Sequence, residues 1–201
     1  MNLLDLLPVL GLVLCAAGVL IQTLMFRPAA KLAGLVLLYL GGSVLLLNVC
    51  SFQMCGALFV CGIGTAVLLG TSLREHPILP QEAETTREQR LFRLLLCLIL
   101  CILSYSSSEV LRYWIPVHIS ILFVSLWTSL VSLLTLSYEN KMLFRCICLQ
   151  SLCFAFTLCY IYMENSIFVL AFLSALNLLL AFGSSVLSMG GKPEQQEEQS
   201  V

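Results

Sequence analysis

Charge is what this sequence has least of. Its 201 residues include ten Lys and Arg and eleven Asp and Glu, 10% of the chain, against 60% hydrophobic residues and a mean hydropathy of +1.00. Ordinary soluble domains carry about 25% charged residues, so a water-soluble globule is excluded. The formal net charge of -1 leaves no surplus of either sign to hold nucleic acid. Histidine is scarce, with two in the chain. There is no metal-binding histidine pair, Cys-x-x-Cys, Gly-rich phosphate cradle, nucleophile elbow or dinucleotide fingerprint. We therefore assign no catalytic, cofactor-binding or metal-ligating residue, and nothing points to an enzyme acting by itself. The ten cysteines are scattered. Cys97 and Cys101 share a helix face without a His or acid to complete a metal set, and thiols inside apolar helices behave as small hydrophobes. Cys50 and Cys55, near the expected outer surface, are the one pair that an oxidising compartment could join.

What is present is a series of long apolar runs. A helix that spans about 30 Å of hydrocarbon needs about 20 mostly apolar residues. Seven segments qualify: Leu3 to Met25, Ala30 to Asn48, Phe52 to Ser72, Leu91 to Ser107, Trp114 to Ser137, Met142 to Tyr162 and Ser166 to Met189. The expected fold is an all-α polytopic transmembrane helical bundle. The fourth run is the shortest, but charge placement supports it, because Lys and Arg concentrate on the cytoplasmic side. With seven spans, Arg27, Lys31, Arg74, Arg87, Arg90, Arg93, Lys141, Arg145 and Lys192 fall on one side and Arg112 alone on the other. Without the fourth span, Lys141, Arg145 and Lys192 change sides and the bias mostly disappears. This places the N-terminus outside and the C-terminus inside. Tyr113, Trp114, Tyr160 and Tyr162 fall at outer ends, where amphipathic rings favour the headgroup level. The first run lacks a positive n-region and carries Asp5, so it reads as a true span and not as a removable signal.

The organisation that follows is a three-helix membrane unit over 1–72, a cytoplasmic linker over 73–90, a four-helix membrane unit over 91–189 and a disordered cytoplasmic tail over 190–201. Helix is expected to resume near Glu84, with Glu84 paired to Arg87. Spans one to three and five to seven have the same layout, which fits either a parallel repeat or two unrelated triplets. Gly11 and Gly18, Gly41 and Gly42, and Gly56, Gly62 and Gly64 would let backbones approach, so the first triplet is expected to be compact and the later helices either looser or facing partners.

Function should lie with polar groups at depth. A charged side chain at mid-bilayer costs at least about 2.5 to 3.5 kcal/mol and is retained for a purpose. No Lys, Arg, Asp or Glu falls near the middle of a span; Asp5, Glu109, Arg112, Glu139 and Glu164 all lie at span ends. That argues against an autonomous proton pump. The candidate intramembrane polar positions are Gln22, Gln53, His118, Gln150 and Asn177. Gln150 and Asn177 lie deepest and serve either as interhelical glue or as a polar station on a hydrated path. His118 is either an interfacial residue bonded to a nearby group or a proton relay. Glu164, in the outer turn before span seven, is either solvated or caps that helix.

Asn140-Lys-Met-Leu-Phe-Arg145 followed by Cys-Ile-Cys-Leu-Gln150-Ser-Leu-Cys-Phe-Ala-Phe is similar to the second helix of the K-type subunit of respiratory complex I and of its Mrp-antiporter relative. That helix starts after a basic cytoplasmic turn and carries a glutamate where Gln150 stands. The family's next helix has a second glutamate in an Ala-rich stretch, which Ser174-Ala-Leu-Asn177-Leu resembles. Phe26-Arg-Pro-Ala-Ala-Lys31 and the glycine-interrupted helix after it resemble the J-type subunit, and the fused order resembles a membrane-bound hydrogenase subunit. The resemblance implies a subunit packed beside antiporter-like or quinone-module proteins of an oxidoreductase or ion-translocating complex in a bacterial inner membrane. Both family carboxylates are amides here, so proton transfer is not implied. A small independent transporter using the neutral polar residues is the alternative.

Overall fold

The computed structural model describes residues 3–25, 27–75, 87–139 and 141–190. It is all α: α1 Leu3–Leu24, α2 Pro28–Leu46, α3 Phe52–Glu75, α4 Arg87–Leu111, α5 Ile119–Tyr138, α6 Met142–Glu164 and α7 Ile167–Gly190. Each is long and apolar enough to cross a membrane. The expected bundle of seven spans is therefore the observed fold. The Glu84 to Arg87 pairing and the tail lie outside the described residues.

Local chemistry explains the helix boundaries. Pro28 occupies the first turn of α2 behind an extended Arg27, where its missing N–H costs nothing. Asn165 ends α6 with φ 28 and ψ 42, the left-handed turn that asparagine tolerates. The fifth helix begins later than its apolar run suggests, at Ile119 and not Trp114. Pro116 biases Ile115 away from helix, and His118 is extended (φ -61, ψ 136), so the chain turns before α5 can start. The fourth helix extends beyond its apolar run at both ends, and the charged run before Leu91 winds into it, in line with the helix expected to resume before that run.

Successive helices run up and down, so the two ends of the bundle differ. The end of α1 and the start of α2, the end of α3 and the start of α4, the end of α5 and the start of α6, and the end of α7 lie at one end, called here the basic end. α1 and α2 pack antiparallel at close range. A Cβ on Gly41 would stand 2.8 Å from the Gly11 carbonyl oxygen, and one on Gly18 would stand 2.8 Å from that of Gly34. In each helix the two glycines are seven residues apart and so lie on one face, allowing two backbones to touch where lipid offers no hydrophobic drive for association.

The core joins both halves of the chain. Gly42 of α2 receives the Phe154 ring from α6, and the Tyr39 ring lies 4.8 Å from the same ring, tilted by 56°. The Cys61 thiol of α3 donates to the Ser174 carbonyl of α7 at 3.6 Å. More than half of α2, α5 and α6 is buried, against 17% of α4 and 22% of α7. The expectation of a compact first triplet and looser or partner-facing later helices fits α1 with α2, and α4 and α7, but is corrected for α5 and α6, which are among the most buried helices. Burial follows position in the bundle, with α5 and α6 central and α4 peripheral. Gly56, expected at a close approach, has nothing near its Cβ position.

Candidate functional site

The candidate polar positions separate into two groups. Gln150, eight residues into α6, and Asn177, near the middle of α7, are both fully buried and meet each other. Gln150 Nε2 donates to the Asn177 carbonyl oxygen at 3.1 Å, and Asn177 Nδ2 donates to Thr157 Oγ1 at 3.2 Å. Thr157 passes its own hydrogen to the Cys153 carbonyl at 2.8 Å, so the chain of donors ends within α6. Gln22 joins from α1, its Oε1 accepting from Ser151 Oγ at 2.8 Å. Three helices are tied through neutral amides and hydroxyls. Gln22 Nε2, Gln150 Oε1, Tyr39 Oη and Ser174 Oγ are buried and find no protein partner.

Two candidates lie elsewhere. Gln53 is exposed at the start of α3, and His118 is exposed where it caps α5, its Nδ1 accepting from the Ser120 N–H at 3.4 Å. Neither reaches the Gln150 cluster, so a single site built from all five residues is not what the fold forms. The late start of α5 is the reason for His118, and the first-turn position is the reason for Gln53. Glu164 is the exposed last residue of α6, and Tyr113 and Trp114 are exposed between α4 and α5 at the end opposite the basic one. Cys50 and Cys55 are buried free thiols, so the structure does not join them. Burial pushes the Cys50 thiol above its ordinary range. Among the described residues, no group of three or more His, Cys, Asp or Glu could hold a metal ion.

The site that sequence reasoning missed is a buried ion cluster at the basic end. Lys31, in the first turn of α2, is 1% exposed, and Nζ lies 2.6 Å from Glu139 Oε1 at the end of α5. Arg93 of α4 reaches the same carboxylate oxygen at 3.4 Å, and Arg145 of α6 donates through Nε to the Glu139 backbone carbonyl at 2.6 Å. The Lys31 ammonium also sits 4.2 Å from the centre of the Phe144 ring. Four helices thus meet on one glutamate. Glu139 and Lys31 do lie at helix ends, as expected, but the packing of α2 and α5 against α6 encloses them. No local signal separates these two from the exposed charges around them, because they are 108 residues apart in the chain.

Beside this cluster a cleft of about 530 Å³ opens between α1, α4 and α5. Phe92, Leu96, Leu100, Val131 and Leu134 line its length, and Arg93, Glu88 and Tyr138 stand towards the basic end. Comparison with protein-family models, with curated proteins and with solved structures finds no match to this chain. Fold and site together define a multi-pass integral membrane protein whose deep polar groups are neutral and whose buried charges are paired at one end.

Proposed function

We propose that this protein is a non-catalytic integral subunit of a complex I-like, hydrogenase-like or Mrp-like ion-translocating assembly in a bacterial inner membrane, with its N-terminus outside. The observation that carries this reading is how the deep polar groups are used. Where the subunits that this chain resembles place carboxylates, Gln150 and Asn177 bond to each other's helices and to Thr157. An amide pair so arranged holds α6 against α7 and has no proton to pass on. The peripheral α4 and α7 leave broad apolar faces that a neighbouring subunit could cover, among them Phe168, Phe172 and Phe182. Purification of the tagged chain from its native membrane in mild detergent tests the reading. Antiporter-like or quinone-module subunits should copurify in fixed ratio; a chain that elutes alone from every mild detergent overturns it.

A second reading, a small independent transporter, is favoured by the unpaired buried atoms Gln22 Nε2, Gln150 Oε1, Tyr39 Oη and Ser174 Oγ. Buried polar atoms left without partners are costly and suit a path that admits water or a polar solute. It predicts substrate flux into proteoliposomes that contain this chain alone, abolished by Gln150→Leu. Absence of flux for wild type across a panel of ions and small solutes counts against it.

A further inference from the structure

We propose that the cleft between α1, α4 and α5 is a binding site for one anionic phospholipid of the adjoining leaflet, its phosphate against Arg93 and one acyl chain lying along α4. This inference needs only that the chain spans a membrane and holds whichever functional reading is right.

The first argument is length. The cleft follows α4 from Glu88 to Leu100, which at about 1.5 Å of rise per residue is about 18 Å. The hydrocarbon core is about 30 Å thick, so the cleft matches the depth of one leaflet. Its apolar walls, Phe92, Leu96 and Leu100 on α4 and Val131 and Leu134 on α5, give an acyl chain what the bilayer itself gives. Trp127, whose Nε1 donates to the Cys97 carbonyl at 3.2 Å, ties α4 to α5 beside the cleft and keeps its walls apart at a fixed spacing.

The second argument is charge. At this end of the bundle, among residues whose side chains are described, Arg27, Arg90, Lys141 and Arg145 are exposed together with Glu88, while Lys31 and Glu139 are buried against each other. Such a basic rim between helices attracts anionic headgroups, and each basic residue near the surface contributes about 1 kcal/mol, or about fivefold in affinity. Arg93 stands where rim and cleft meet, 24% exposed at its side chain and also in contact with Glu139. Its planar guanidinium presents a fork of N–H donors that matches the geometry of a phosphate. Glu88, which also lines this end, opposes the anion and sets the preference for a single phosphate over a more highly charged group. Thr23 and Tyr138 supply hydroxyls close to the same level. A free anion would use only the rim and leave the apolar length of the cleft without a role, which is why a lipid is the occupant.

Native mass spectrometry of the purified full-length protein tests this, titrating phosphatidylglycerol, phosphatidylcholine and inorganic phosphate in turn. Phosphatidylglycerol should give a one-to-one adduct at least about fivefold tighter than phosphatidylcholine. Arg93→Gln should remove that preference. Because Arg93 also touches Glu139, a second variant keeps the test decisive if the first fails to fold: Leu134→Trp fills the cleft without touching the ion cluster and should abolish the adduct. Leu133→Trp, on the exposed face beside it, should retain it. Equal binding of the two lipids, an adduct that survives Leu134→Trp, or displacement of the lipid by millimolar phosphate would each overturn the proposal.

Discussion

Removing the Glu139 carboxylate should destabilise this protein more than removing its lysine partner, although one interaction joins them. At an effective dielectric of about 20, charges 2.6 Å apart attract by about 6 kcal/mol, and Arg93 at 3.4 Å adds about 5 kcal/mol of the same kind. Most of this is spent on taking the groups out of water, so neither figure is a net stability. The asymmetry comes from what remains after each change. In Glu139→Gln the Lys31 ammonium, 1% exposed, keeps only an amide oxygen and the Phe144 ring, 4.2 Å away. An uncompensated buried charge of that kind costs about 3 to 5 kcal/mol. In Lys31→Met the carboxylate keeps Arg93, and a thioether of similar length fills the space, so the loss should be about 1 to 3 kcal/mol. The double variant removes the stranded cation and should recover about 2 kcal/mol or more relative to Glu139→Gln alone. Equilibrium unfolding in mixed micelles, run as a double-mutant cycle, reads all three. If Glu139→Gln matches wild type, or if the two single effects simply add, the pair is not buried and coupled as described.

Three further outcomes follow from the packing. Gly41→Ala places a methyl group within 2.8 Å of the Gly11 carbonyl and should cost about 1 to 3 kcal/mol by pushing α1 from α2, whereas Gly56→Ala meets nothing and should be neutral or gain up to about 1 kcal/mol; the same unfolding assay compares them, and equal effects would contradict the glycine seam. Gln150→Leu removes one donor bond together with an unpaired buried oxygen, so stability should change by no more than about 1 kcal/mol in either direction, and a loss of several kcal/mol would show that the amide carries more than one interhelical tie. Peptide mapping without reductant should find Cys50 and Cys55 as thiols. With its pKa raised by burial, Cys50 should alkylate more slowly in the folded protein than in the unfolded one, with a rate profile displaced to higher pH; a 50–55 disulfide or a normal profile would count against its burial.

The architecture was legible because a bilayer demands so much of a sequence: seven apolar runs of spanning length could become little else, and each became a helix. The placement of basic residues justified the shortest run, and that run proved to be a 25-residue helix. Individual side chains were legible only where one helix decides them. Gln150 and Asn177 were singled out by depth alone, and depth does bury them. His118 went astray because Pro116 and an extended residue shift the start of α5, a local effect that hydropathy does not register. The Lys31 to Glu139 contact was invisible for a different reason. Both residues have the composition and position of ordinary interfacial charges, and only the packing of α2 and α5 against α6 decides that they are enclosed.

That enclosure answers a question the apolar composition raises. In lipid, one leucine-rich face is nearly as good a neighbour as another, so hydrophobic pattern cannot choose which helices touch or at what height. Two features of this chain make the choice. The paired glycines select α2 as the partner of α1, because no other geometry brings two bare backbones together twice at the same seven-residue interval. Glu139 then sets the relative height of α2, α4, α5 and α6, since Lys31 and Arg145 reach it from the first turns of α2 and α6 and Arg93 from the second turn of α4. The cost of burying the charges is lowest where they stand, at helix ends beside the interface, and rises steeply towards the midplane. A glutamate moved two turns into α5 would face the full cost without the three cations. The chain therefore fixes its register with ions at one end and its interior with amides, and the depth of each group follows from how much water it must give up.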